Sequence, residues 1–108
     1  MSQEDKFVYI LGDGGHDYSD AERFGDLRII DIPPSIKWDT AKVYDLLKEE
    51  LHAANAEDYL VISHLTSVCC IATALMIEWF GKVNFLIYHH GVYEHKTIDT
   101  SNLRGPVD

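Results

Sequence analysis

Residues 58–88 read DYLVISHLTSVCCIATALMIEWFGKVNFLIY, a strand, a helix and a strand in immediate succession. Tyr59 to Ser63 is apolar almost without alternation, the pattern of a central strand covered on both faces. Thr66 or Ser67 is placed to cap a helix that runs to Phe80 and stops at Gly81. Val83 to Tyr88 is then a further strand, and a strand reached through one helix becomes a parallel neighbour by a right-handed crossover. Val68, Ile71, Ala72, Leu75, Met76, Ile77, Trp79 and Phe80, with both cysteines, cover nearly every direction around the helix axis. An ordinary surface helix keeps one polar face. This one therefore calls for a second cover, either the preceding helix with its connector or another subunit. Cys69 and Cys70 point too far apart on a helix to pair with each other, and both read as reduced and buried.

Upstream, Phe7 to Leu11 is a short aromatic and β-branched run that reads as the first buried strand, ending at Gly12. Gly12 to Asp26 follows, with Ser19 and Glu22 spaced as a capping box for a short helix over about Asp20 to Phe24, and Gly25 as its left-handed stop. Leu27 to Ile32 is the second strand, closed by Pro33 and Pro34. Asp39 caps a helix from about Thr40 to Ala54, in which Val43, Leu46, Leu47, Leu51 and Ala54 recur at three-and-four spacing. Its Asp45, Lys48, Glu49 and His52 face water, and Asn55 terminates it. The same crossover argument joins the second strand to the third as parallel neighbours. Downstream, His90 and Gly91 make a turn into a return strand from Val92 to Ile98, whose Glu94 and Lys96 mark an edge.

These elements predict an α/β fold: a small single-sheet Rossmann-like domain over residues 1–98, with largely parallel central strands and a C-terminal antiparallel hairpin supplying the edge strand. Residues 99–108 are expected to form a flexible tail. A chain of 108 residues with 46% apolar content supports one core without disulfide staples.

The net charge of -9 is uneven: residues 1–58 hold 14 acids and 6 bases, and residues 59–108 hold 4 and 3. That field repels a phosphate backbone. Nucleic acid is therefore not the expected ligand, while a basic protein surface is a fitting partner. No apolar stretch is long enough to span a bilayer, and no basic segment followed by an apolar one opens the chain. The cytoplasm is the expected location.

Ligands of parallel sheets bind beyond the carboxyl ends of the strands. If the first strand runs parallel to the others, one rim gathers Gly14, Gly15, His16, Asp17 and Tyr18, then Ser63, His64, Thr66 and Ser67, then His89 and His90. Glycine-rich backbone and a helix N-terminus favour an anion such as a phosphate-bearing or nucleotide ligand. Neither GxGxxG nor GxxxxGK[ST] is present, however, and the three loops contain no Lys or Arg. Metal-ligand types occur, but their spacing matches no metal signature, so no metal and no cofactor is expected. Ser63, Ser67 or Tyr18 beside a histidine could support hydrolysis with Asp17 as orienter, yet no GxSxG elbow is present and no catalytic residue is assigned. Asp13, Asp17, Asp20 and Glu22, interleaved with Tyr18 and Phe24, form an acidic series with aromatic anchors of the kind interfaces use.

The patterns YILGDGGHDYSDAERFGDL (9–27), DYLVISHLT (58–66) and GKVNFLIY (81–88) resemble a group of small hypothetical proteins of tailed bacteriophages, over most of residues 8–94. The resemblance implies a small acidic phage product that acts on a host protein or host defence pathway, in the host cytoplasm. It assigns no role to any residue.

Overall fold

The computed structural model describes residues 6–12, 15, 17–63 and 65–102. Five strands form one sheet: β1 (Phe7–Leu11), β2 (Asp26–Ile30), β3 (Tyr59–Val61), β4 (Lys82–His89) and β5 (Val92–Asp99). Their order is β2-β1-β3-β4-β5. β1 runs parallel to both β2 and β3, β3 is parallel to β4, and only β5 is antiparallel. The α/β architecture predicted from the sequence is thus present. One adjacency differs, since β2 and β3 are not neighbours and β1 lies between them. The connection through the first helix therefore crosses over β1, which a rule for consecutive strands does not foresee.

The order also fixes the layers. Steps from β2 to β3 and from β3 to β4 go the same way, so right-handed crossovers put both connecting helices on one face. The step from β1 to β2 goes the other way and puts its connection on the opposite face. Accordingly α1 (Thr40–Glu50) and α2 (Thr66–Phe80) pack with Tyr9, Leu11, Leu60 and Val83 in one cluster that includes Leu47, Leu51, Leu75 and Met76. Val8, Ile10, Val61 and Leu86 face the other way, onto Ala21 of a 3-10 helix at Ser19–Phe24 and onto Tyr59 and Tyr93.

Several local readings hold. Asp39 caps α1 by accepting from the Lys42 amide at 3.2 Å, and Gly81 ends α2 in the left-handed region at φ 75°. Others change. The segment at Ser19–Phe24 is a 3-10 helix with no side-chain cap, so no capping box forms. Gly25 is extended rather than left-handed. Its glycine identity follows from crowding: a Cβ there would sit 2.6 Å from the Lys6 carbonyl oxygen. α1 ends at Glu50, short of Ala54. α2 starts from Leu65 with neither Thr66 nor Ser67 capping it, and Cys70 is exposed while Cys69 is buried.

β5 runs through Asp99, and Thr100 donates from both its amide (2.9 Å) and its hydroxyl (2.7 Å) to the Gly81 carbonyl. Residues 103–108, the rest of the expected tail, lie outside the described residues. At the amino end of the sheet, buried Asp58 accepts from the amides of Phe7 (2.9 Å) and Asn55 (3.0 Å), which ties β1 to the α1–β3 connection. Buried Asn84 donates to the carbonyls of Ala56 and Asp58. Both polar side chains are satisfied, as burial requires. Among the described residues no helix is long and apolar enough to cross a membrane.

Candidate functional site

The carboxyl ends of β1, β3 and β4 lie at one edge of the sheet because these strands are parallel. The order reverses direction between β1 and β3, and such a switch point opens a crevice where ligands of α/β sheets bind. Gly12 leaves β1 with φ 85° and donates to the Ile30 carbonyl at 2.9 Å. A Cβ on it would meet the Leu65 side chain at 2.5 Å. The loops after β1 and β3 therefore do approach each other.

The polar groups of the rim are largely occupied. The Ser63 hydroxyl donates to the Leu11 carbonyl (3.0 Å) and accepts from the Leu65 amide (3.1 Å), so it bridges the ends of β1 and β3. The two bonds fix the hydroxyl between the strand ends. Asp17 accepts from the Ser19 amide at 2.9 Å, and that bond holds its carboxyl below the usual range. Thr66 is exposed and Ser67 half-buried in the first turn of α2, where no side chain caps the helix amides. Gly15 is exposed with φ 77°. Asp13, Gly14, His16 and His64 lie outside the described residues.

His89 and His90 stand apart. β4 continues three residues past Leu86, the partner of Val61, so the hairpin projects beyond the rim. His89 Nδ1 pairs with Glu94 Oε2 at 3.2 Å, and this hydrogen bond is the first reason that the Glu94 carboxyl is held low. The two imidazoles lie 4.1 Å apart, with His90 in the turn at φ 52°. No hydrogen bond or ion pair among the described residues joins them to Ser63 or Thr66. Nor does any group of three His, Cys, Asp or Glu side chains among the described residues gather as a metal site.

The acidic series divides. Asp20 Oδ2 accepts from the Tyr93 amide at 2.8 Å, which is the main cause of its lowered pKa, and Arg23 Nη2 donates to the Tyr93 carbonyl at 2.6 Å. Phe24 is half-buried, 5.3 Å from the Tyr59 ring and 4.2 Å beneath the Arg23 guanidinium. Asp20 and Phe24 thus bind the molecule's own sheet. Glu22 is exposed, and Tyr18 is half-buried beside the second cluster.

The structure brings forward a feature that the motifs did not. A groove of about 450 Å³ runs beside α2, lined by Ile62, Ser63, Thr66, Cys69, Cys70, Thr73, Ala74 and Phe85. It begins at the rim, where Ser63 and Thr66 form its end. α1 packs on one flank of α2, and the groove opens along the flank that faces Phe85 of β4. The sequence signal was the helix apolar all round.

A family model described as Phage Pam3 gp32-like protein matches residues 7–101, nearly the whole chain. No curated protein and no solved structure matches it.

Proposed function

The chain belongs to the phage Pam3 gp32-like protein family, and from that premise we propose that it is an accessory protein that acts by binding a host protein. The groove beside α2 carries this reading. Ile62, Phe85 and Ala74 line it, and Ile87 is exposed farther along β4, at 39%. An apolar surface left open on a small acidic chain suits a partner whose contact centre is apolar and whose rim is basic. The site of action that follows is the host cytoplasm.

The test is retention of a host protein on immobilised chain. A specific protein is expected to be held by the wild type and by His89→Ala, and released by Ala74→Glu, which places a charge in the groove. Retention that is indifferent to Ala74→Glu, or none, overturns the reading. Self-association through Val68 to Phe80 is the competing use of the same groove, and light scattering that finds a dimer abolished by Ala74→Glu would favour it.

A second reading has its own observation, the uncapped start of α2 at the switch point between β1 and β3. Free amides at a helix N-terminus favour a small phosphate-bearing ligand, bound or hydrolysed there. Raised melting temperature with inorganic phosphate or a nucleotide, lost on Gly12→Val, would support it. No shift with either would remove it.

A further inference from the structure

β5 is an edge strand, and its hydrogen-bonding parity can be read from the bonds around it. The Ile62 amide donates to the Leu86 carbonyl at 3.1 Å, so Leu86 turns its backbone toward β3. Its opposite residue on β5, His95, therefore turns outward, since alternate residues of a ladder face alternate sides. Tyr93, Thr97 and Asp99 share that parity. They present the amides and carbonyls that an added strand would use.

The side chains along this edge complement themselves. Pairing β5 with a second β5 antiparallel about His95 sets Val92 opposite Ile98, Glu94 opposite Lys96, and the reverse pairs beyond the axis. All four lie on one face, because they alternate with the outward-facing residues. Val92 and Ile98 are 42% and 37% exposed, and each would cover the other. Glu94 and Lys96 already attract each other within the strand at 3.8 Å, and in the pair each also meets the opposite charge across it. Although the chain carries -9, the segment 92–98 holds one acid and one base, so it is a stretch where two copies do not repel.

One contact stands in the way. In that register Tyr93 would exchange hydrogen bonds with Thr97 of the second copy, but its amide and carbonyl are already taken by Asp20 (2.8 Å) and Arg23 (2.6 Å). Two side chains of the 3-10 helix thus take the bonds that an incoming strand would use at Tyr93. We propose that residues 92–98 form a latent self-association edge that takes a second copy of this chain about His95, and that the Asp20 and Arg23 clamp on Tyr93 holds it closed. The groove beside α2 plays no part in this.

The experiment measures solution mass by light scattering at high protein concentration, with circular dichroism to report folding. The wild type is expected to be monomeric and the Asp20→Ala/Arg23→Ala variant to double in mass. Adding Lys96→Glu, which sets like charges opposite each other, returns the monomer; adding Glu94→Lys as well restores complementarity and the dimer. A folded clamp-free variant that stays monomeric overturns the proposal and leaves the edge to a strand of another protein. A dimer indifferent to Lys96→Glu overturns it too. Should the clamp-free variant not fold, His95→Cys in a Cys70→Ser background with the clamp intact reads transient openings. A covalent dimer under mild oxidation, suppressed by Lys96→Glu, supports the edge, and its absence overturns it.

Discussion

The two faces of the sheet are closed by different means. On one, α1 and α2 lay down Val43, Leu47, Val68, Ala72, Leu75 and Met76, with Leu51 just past the end of α1, over β1, β3 and β4. On the other, six residues from Ser19 to Phe24 bury Ala21, lean Phe24 on Tyr59, and fasten to the far strand through two side-chain bonds at Tyr93. The first closure rests on area removed from water, which is non-directional and indifferent to pH. The second rests on directed polar bonds, one of them to a carboxylate. The hold of that segment on β5 therefore depends on the charge of Asp20.

The largest expected effect lies on the helix face. Leu47 is fully buried, and Leu47→Ala should cost about 2–5 kcal/mol by the usual cost of a core cavity, read from urea unfolding. A loss under about 1 kcal/mol would mean that α1 is loosely seated and that the contrast between the faces is false. Next is Asp58→Ala at the foot of the sheet. It strands the amides of Phe7 and Asn55, and leaving buried donors unpaired costs roughly 1–3 kcal/mol. Unchanged stability would show water taking the carboxylate's place.

On the other face the effect is smaller, but it has a signature in pH. The Tyr93 amide bond, then Arg23, holds the Asp20 carboxyl below its ordinary value. A group whose folded pKa is depressed stabilises fully above its unfolded pKa and loses that contribution as pH falls through the folded pKa. The melting temperature of wild type minus that of Asp20→Asn should therefore be positive at neutral pH and shrink in acid below the ordinary carboxylate range. A difference that is constant with pH would break the link between the clamp and Asp20's charge. Smallest is a change with no effect on stability: thiol labelling of native protein should modify exposed Cys70 quickly and buried Cys69 only on unfolding. Equal rates would mean that α2 lifts from the sheet.

Local readings succeeded where a residue's own chemistry decided the outcome. Phe7 to Leu11, the Asp39 cap and the Gly81 stop needed only β-propensity, a carboxylate near free amides and the absence of a Cβ. They failed where a distant partner decided. Gly25 looked like a helix stop but is fixed by the Lys6 backbone, which adjoins it only after β1 and β2 pair. The acidic series with its aromatic anchors could not show that Phe24 packs on Tyr59 or that Asp20 bonds to Tyr93, 73 residues away in sequence. Cys70 looked buried because α2 is apolar all round; which flank is covered depends on where α1 lies.

What the sequence by itself determined is therefore the five strands and two α-helices, the parallel pairing of β3 with β4 through α2, and the excess of apolar surface on that helix. These follow from periodicity and chirality, which act over a few residues or one crossover. Only the tertiary structure decided that β1 stands between β2 and β3, that a groove opens beside α2, and that β5 is capped at Tyr93 and open at His95. Each of those depends on which segments distant in the chain come to lie together, and side-chain pattern along a single strand carries no record of its neighbour.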